Sequence, residues 1–146
     1  MKTKILGLVL LCSILLQSCT SKYSEQTRSF QQYLGSVFHD KIPENQHIYL
    51  LIAQFRCEGC VELTLDKLAD KLSKNPKTGV SIITYNEKLI PVSLSRKVEV
   101  LLDRNSGYET IQSIANIALI KTDKGKILTI KMMNLDDSDQ IIKEEF

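Results

Sequence analysis

Two cysteines, Cys57 and Cys60, lie three positions apart in the stretch QFRCEGCVELTLDKLADKL, between an apolar run and a segment with helical periodicity. Thiols at this spacing can exchange disulfide bonds, bind a soft metal ion or form a small structural disulfide. A structural disulfide would close a very short loop, and closing a short loop removes little entropy from the unfolded chain. The spacing therefore favours redox chemistry over a structural role.

A cysteine that attacks a disulfide must be a thiolate, and a second thiol must lie nearby to resolve the mixed disulfide. Cys57 lies where the predicted helix begins, and the unpaired N–H groups at a helix N-terminus favour negative charge. Arg56 adds a positive charge beside it, whereas Glu58 adds a negative one. We expect Cys57 to be the nucleophile and Cys60 the resolving thiol, with the pKa of Cys57 below about 8.5.

The first 18 residues are predicted to be a signal peptide and not part of the fold. Lys2 and Lys4 precede an apolar run that is too short for a membrane-spanning helix. The ending LQSC, Leu16 to Cys19, resembles the lipobox of bacterial lipoproteins; a plain cleaved signal peptide is the alternative. The resemblance implies that Cys19 is acylated, with palmitate among its lipids, and that the protein is lipid-anchored to a membrane of the bacterial cell envelope on an extracytoplasmic side.

Removal of this segment changes the charge and cysteine counts. Cys12 leaves with it and Cys19 carries the lipid, so only Cys57 and Cys60 remain as thiols, in an oxidising compartment. Loss of two lysines from 19 basic residues leaves 17 against 17 acidic residues. A net charge near zero indicates no nucleic-acid partner. We expect a tether over residues 19–27 and one monomeric domain over residues 28–146.

Hydrophobic periodicity predicts helices and strands in alternation, followed by a terminal β-hairpin and a closing helix. The strand that begins at His47 is almost continuously apolar, as is typical of a central strand covered on both faces. Strands joined by helices pair in parallel, so we expect an α/β fold with a mixed central sheet flanked by helices. The predicted elements are helix 24–39, strand 47–55, helix 58–73, strand 80–86, an irregular crossover or short helix in 87–97, strand 98–103, a helical turn in 104–113, a hairpin turning at 122–125 and a helix in 136–146.

This order, with Cys-x-x-Cys at a strand-to-helix junction, resembles the thioredoxin fold. It is most similar to the thioredoxin-like thiol–disulfide oxidoreductases anchored to bacterial membranes. The segments that carry the resemblance are FRCEGC, VEVLLDRNSGYE and ALIKTDKGKI, within residues 48–146. The resemblance implies exchange with protein thiols or disulfides of the cell envelope through Cys57 and Cys60, without a cofactor or a metal.

Four positions depart from the family pattern. Arg56 stands where the family usually has tryptophan, and Gly59 stands where many members have proline. The family's buried acid falls on Leu51, and residues 114–117 contain no proline where the family has a cis-proline. These departures concern turnover and substrate docking rather than the fold.

Two other functions stay open. The strand, Cys-x-x-Cys and helix also resemble a heavy-metal-associated domain, in which two thiolates bind Cu(I). Such domains are ferredoxin-like and lack the closing hairpin and helix predicted here. The third possibility is a non-catalytic binding module on the thioredoxin fold, which the missing proline supports. Zinc is disfavoured because a structural site needs four ligands.

The remaining titratable residues suggest no catalytic constellation, because no acid–histidine–nucleophile spacing is visible. His39 ends a predicted helix and His47 starts a strand, and both are expected to be ordinary surface residues. Asp103 and Asp123 lie at a strand end and in a turn. We expect both carboxylates to be solvated loop residues.

Overall fold

The structure, a computed structural model, describes residues 22–53, 58–74, 79–111, 114, 117–134 and 136–146, without the side chains of residues 58 and 60. Within these ranges the chain is α/β with a mixed central sheet, as predicted; the sheet has five strands, and there are four α-helices. The predicted signal peptide, Cys19 and Cys57 lie outside them. The elements are α1 (Ser24–Phe38), β1 (His47–Ile52), α2 (Glu58–Lys74), β2 (Gly79–Thr84), α3 (Val92–Ser95), β3 (Glu99–Leu102), β4 (Ile117–Asp123), β5 (Lys126–Met133) and α4 (Ser138–Glu145).

The strand order in the sheet is β3-β2-β1-β4-β5. β1 pairs in parallel with β2, and β2 pairs in parallel with β3. β4 is antiparallel to both β1 and β5. The parallel strands follow connections that contain helices, whereas the tight turn between β4 and β5 requires antiparallel pairing. β1 therefore lies at the centre, where the parallel and antiparallel halves of the sheet meet.

Helices cover both faces of the sheet. Successive side chains of a strand point to opposite faces, and in β1 Leu50 packs in one buried cluster whereas Tyr49 and Leu51 pack in the other. The Leu50 cluster contains apolar residues of α2, α3 and α4, and the Tyr49 cluster contains those of α1. All of β1 after its first residue is buried, which confirms the prediction of a doubly covered strand. β1 ends at Ile52, earlier than predicted.

α1 takes up the last four residues of the segment that we predicted as a tether. Phe30, Tyr33 and Leu34 lie at helical spacing and are buried against the sheet. The hydroxyl oxygen of Thr27 accepts a hydrogen bond from the backbone N–H of Ile127 at 3.1 Å. The folded part of the chain therefore includes the beginning of α1.

The predicted hairpin and closing helix are present. The turn between β4 and β5 contains Lys124 and Gly125 in left-handed conformations, with φ of 51° and 68°, and glycine adopts this conformation without a steric cost. α4 is fixed to the hairpin by ion pairs. The Lys121–Glu145 pair is 3.1 Å long, and Lys131 lies 2.8 Å from Glu144 and 2.9 Å from Glu145.

The crossover that the sequence left open contains two short helical pieces. One 3-10 turn spans Glu87–Leu89, and α3 follows it. Leu94 of α3 is fully buried against the same cluster as α2. A second 3-10 turn, Gly107–Thr110, follows β3 as predicted. Nowhere in the described ranges is a helix both long and apolar enough to cross a membrane.

Candidate functional site at the carboxyl edge of the parallel strands

The carboxyl ends of β1, β2 and β3 meet at one edge of the sheet. Ile52 is aligned with Thr84 of β2, and Thr84 is aligned with Leu102 of β3. Ile52 also pairs with Ile117, the first residue of the antiparallel strand β4. β1 therefore ends, and β4 begins, at this same edge. Such edges are where open α/β sheets bind their ligands.

The helix that contains Cys60 begins just beyond this edge. Cys60 is the third residue of α2 as the structure describes it, whereas Cys57 lies outside the described residues. Val61, Leu65 and Leu68 are buried, which fixes one side of α2 against the sheet. The last turn of α2 contains basic residues. Positive charges at the C-terminus of a helix interact favourably with the helix dipole, so they stabilise α2.

The position between the two cysteines is open. Gly59 is exposed, and a Cβ atom added there would meet no other atom within 4 Å. Leu63, one helical turn further along, is 43% exposed. A partner molecule can therefore approach the first turn of α2 without displacing another part of the described chain.

A buried carboxylate lies at the same edge, directly after β3. Asp103 is only 1% exposed, so our prediction of a solvated loop carboxylate is wrong. Its Oδ1 accepts the backbone N–H of Gly107 at 3.0 Å, and its Oδ2 accepts that of Tyr108 at 3.0 Å. The hydroxyl of Tyr33 donates a third hydrogen bond to Oδ2 at 2.8 Å. Burial, followed by these interactions with Asp103, raises the pKa of Tyr33, so its hydroxyl remains a donor.

The Asp103 loop, residues 103–108, is held together by the hydrogen bonds of Asp103 and packs closely on α1. A Cβ atom at Gly107 would lie 2.9 Å from Cγ2 of Val37 and 3.3 Å from Cε2 of Tyr33. Tyr108 belongs to the same buried cluster as Ala53, the residue that follows β1. The Asp103 loop therefore packs in the same cluster as the last described residue after β1. The sequence signal of this loop is an acid directly after an apolar strand, with a glycine four positions further on.

A second polar network joins the three parallel strands near their amino ends, away from the carboxyl edge. Nε2 of His47 lies 2.8 Å from Oγ of Ser81, and that hydroxyl donates to Oε2 of Glu99 at 2.7 Å. The hydroxyl proton of Ser81 is used in the bond to Glu99, so the Ser81 oxygen must accept in its contact with His47. We therefore place a proton on Nε2 of His47, and this N–H donates to Ser81. His47 is thus half-buried and hydrogen-bonded, and not the ordinary surface residue that we predicted; His39 is exposed, as expected.

The histidine network is too remote to serve the cysteines. His47 begins β1 and Ile52 ends it, and five residue steps along a strand span about 17 Å. Burial lowers the pKa of His47, although the negative charges of Glu99 and Asp40 act in the opposite direction. The network therefore holds a neutral imidazole across the amino ends of the strands.

No metal site is formed by the described side chains, which include neither cysteine of the pair: no three of their histidine, cysteine, aspartate and glutamate groups are placed to hold an ion. Comparisons of the chain with protein-family models, with curated proteins and with solved structures gave no match. The geometry of the sheet edge and the chemistry of the cysteine pair are therefore the features that point to a function.

Proposed function

We propose that this protein is a thioredoxin-like thiol–disulfide oxidoreductase that acts on protein thiols or disulfides of the bacterial cell envelope. In this proposal a lipid on Cys19 anchors the protein to a membrane of the envelope. The observation that carries the proposal is the order of elements around the cysteines. A central strand ends at the carboxyl edge of the sheet, Cys57 and Cys60 follow, and the helix that contains Cys60 packs back onto the sheet.

The topology supports the thioredoxin-like interpretation. β1 and β2 are adjacent and parallel with α2 between them in the chain, and the antiparallel hairpin and α4 complete the sheet and its cover. Helices α2 and α4 pack on the same face, where Lys67 and Asp139 form an ion pair of 2.8 Å. In this interpretation β3 is an additional parallel strand at the edge beyond β2.

The same topology disfavours the Cu(I)-binding alternative. In the ferredoxin-like fold the strands joined by the first helix belong to a split βαβ unit, in which another strand lies between them. Here β1 and β2 are direct neighbours over six aligned residue pairs. This arrangement supports the redox proposal over the Cu(I)-binding alternative.

The proposed reduction of a partner proceeds in two balanced steps. The Cys57 thiolate attacks one sulfur of the partner's disulfide, so that a mixed disulfide forms and the partner's other sulfur leaves as a thiolate that takes up a proton. The Cys60 thiolate then attacks the Cys57 sulfur, and the partner's second thiol is released. Two electrons pass to the partner, and a Cys57–Cys60 disulfide remains; oxidation of a partner is the reverse.

Single cysteine variants of residues 20–146 test the assigned roles with oxidised glutathione as the probe. In the Cys60→Ser variant the mixed disulfide at Cys57 cannot be resolved, so we expect the glutathione adduct to accumulate. The matched Cys57→Ser variant should form an adduct at least about tenfold more slowly, since Cys60 lies inside the helix. Mass spectrometry of quenched samples measures both rates, and equal rates would contradict the assignment of Cys57 as the nucleophile.

The lipid anchor has a separate test. In cells that carry the full chain, the wild type should fractionate with membranes, and the Cys19→Ala variant should not. Labelling with a palmitate analogue should follow the same pattern. A Cys19→Ala variant that stays on the membrane would overturn the anchor without affecting the redox proposal.

A further inference from the structure

β3 is the outermost strand of the described sheet, and one of its sides is unpaired. The N–H of Asp103, just after the strand, donates to the carbonyl oxygen of Thr84 in β2 at 2.9 Å. In a parallel pair, alternate residues direct their N–H and C=O groups to the same neighbour. Leu101 therefore faces β2, as Asp103 does, whereas Val100 and Leu102 present their backbone groups to the open side.

The side chains along this edge are apolar and only half-buried. Val100, Leu101 and Leu102 are all of this kind. A groove of about 440 Å³ lies beside Val100, and its apolar lining includes Ile90 and Val92. Val92 is 67% exposed. A strand added to β3 would direct alternate side chains toward this groove, which is how edge-strand recognition obtains its specificity.

β5, the outermost strand on the other side of the sheet, is protected against pairing with another chain in a way that β3 is not. In β5 the N–H of Ile127 is already bonded to Thr27 of α1. That strand also contains Lys126 and Lys131, and lysines on an edge discourage pairing with other chains. The one charged residue of β3, Glu99, accepts a hydrogen bond from Ser81 on the α1 face of the sheet.

Charge at the ends of β3 identifies the kind of strand that fits. Arg96 and Lys97 precede the strand, Arg104 follows it, and all three are exposed. In an antiparallel pair, residues that lie opposite each other both direct their backbone groups to the partner strand or both direct them away, so Val100 of one copy of β3 must lie opposite Val100 or Leu102 of the other. With Val100 opposite Val100, Arg96 would lie opposite Arg104 at both ends of the pair, and with Val100 opposite Leu102, Glu99 would lie opposite Asp103. Like charges placed opposite each other are destabilising. A second copy is therefore disfavoured, and a strand with acidic ends is favoured.

We propose that β3 is a strand-addition site for an extended segment of a partner protein, with apolar side chains in its centre and acidic residues at its ends. The partner's backbone bonds to the open N–H and C=O groups of Val100 and Leu102. One of its apolar side chains fills the groove beside Val92. The proposal does not depend on the redox function, because no cysteine takes part in it.

The probe is a fluorescent synthetic peptide that alternates valine and threonine between two terminal aspartates, added to residues 20–146. We expect saturable binding with a dissociation constant below about 1 mM. Val100→Pro removes one outward N–H without removing a hydrogen bond to β2, and should weaken binding at least about tenfold. The control Val100→Thr keeps both the β-branched shape and the N–H, and should bind within about threefold of the wild type. Replacing the terminal aspartates with lysines should weaken binding several-fold.

Amide hydrogen exchange of the wild-type domain gives a readout that does not depend on a variant that folds. Peptide addition should protect the amides of Val100 and Leu102, while the Leu101 amide, already bonded to β2, should change little. The proposal is overturned if protection appears on β5, if saturable binding is absent, or if Val100→Pro binds the peptide as the wild type does. Concentration-dependent dimers that Val100→Pro abolishes would make a second copy the occupant and would also overturn it.

Discussion

The hydroxyl of Tyr33 donates a 2.8 Å hydrogen bond to Oδ2 of Asp103, 70 positions further along the chain. This bond joins α1 to the end of β3, at the edge of the sheet where β1 also ends. Asp103 is almost fully buried, and its carboxyl oxygens accept hydrogen bonds from this hydroxyl and from the backbone N–H groups of Gly107 and Tyr108. The helix closest to the predicted tether is thereby bonded to the edge that carries the candidate site.

Tyr33→Phe removes this bond and keeps the ring. We expect the free energy of unfolding to fall by about 1–3 kcal/mol, because one acceptor site of a buried carboxylate loses its donor. Urea unfolding at pH 7 measures the change. Tyr85→Phe, which removes a hydroxyl from a half-buried ring after β2, is the matched control and should change stability by less than about 0.5 kcal/mol. Equal effects of the two variants would contradict a structural role for the Tyr33–Asp103 bond.

Gly107→Ala tests the close approach of the Asp103 loop to α1. The new methyl group would lie 2.9 Å from Cγ2 of Val37, a side chain whose rotamers are restricted. We expect a loss of about 1–3 kcal/mol in the free energy of unfolding. Gly59→Ala, where the added methyl meets open space, should be neutral or slightly stabilising in a helix.

The clash at Gly107 should be relieved by a second substitution. In the Val37→Ala background, Gly107→Ala should cost less than it does alone, because the atom that it meets has been removed. Denaturant unfolding of the two single variants and the double variant gives the coupling energy. Strictly additive losses would show that the Val37 contact is not the cause.

The His47 network makes stability dependent on pH. Burial lowers the pKa of His47 below the value of 6.5 expected of an unfolded histidine, so between these two pKa values the unfolded state binds more protons. The contribution of His47 to stability is therefore complete above about pH 6.5 and is lost as the pH falls through the folded pKa. A proton NMR titration of His47 should give a pKa below 6.5, and a value at or above 6.5 would contradict this account.

Two variants isolate this effect in the unfolding profile. His47→Gln removes the titrating group, so its free energy of unfolding should vary less with pH between 5 and 7 than that of the wild type. His39→Asn is the control, because His39 is exposed and lies at a left-handed position that asparagine tolerates. The control should keep the slope of the wild type.

The ion pairs of Glu145 should stabilise the closing helix. Burial acts to raise the pKa of Glu145, but hydrogen bonds from Lys131 and Lys121 outweigh it and lower the pKa below 4.5. Glu145→Gln should reduce the free energy of unfolding by about 1–2 kcal/mol at pH 7. This contribution is present above the unfolded pKa and disappears as the pH falls through the folded one, so the two proteins should converge in acid.

A surface ion pair provides the control for Glu145. Asp70 and Lys74 form a 2.7 Å pair one helical turn apart, with both side chains more than 60% exposed. Asp70→Asn should therefore change the free energy of unfolding by less than about 0.5 kcal/mol. If it costs as much as Glu145→Gln, partial burial is not what gives the Glu145 pairs their strength.

The sequence predicted the elements well because their signals are local. Apolar spacing predicted α2 over residues 58–73, and the helix spans Glu58–Lys74. The hairpin followed from two apolar runs around a turn with glycine at position 125. β1 ended earlier than expected, because the apolar run continues beyond the last residue that pairs with β2 and β4.

The polar networks were missed because their partners are far apart in the chain. Asp103 looked like a loop carboxylate, since nothing local marks Tyr33 as its donor. His47 looked like a surface residue, because Ser81 meets it only through the parallel register of β1 and β2. Pairings of this kind depend on tertiary structure, which single-sequence periodicity does not contain.

The central claim is that Cys57 and Cys60 exchange disulfides, and a redox equilibrium tests it most directly. Residues 20–146 are equilibrated in glutathione buffers of graded potential, and free thiols are counted by mass. We predict a defined reduction potential between about −270 and −120 mV, the span of known exchange catalysts. A pair that is still oxidised below about −300 mV would be a structural disulfide, and would contradict the proposed function in favour of a non-catalytic binding module.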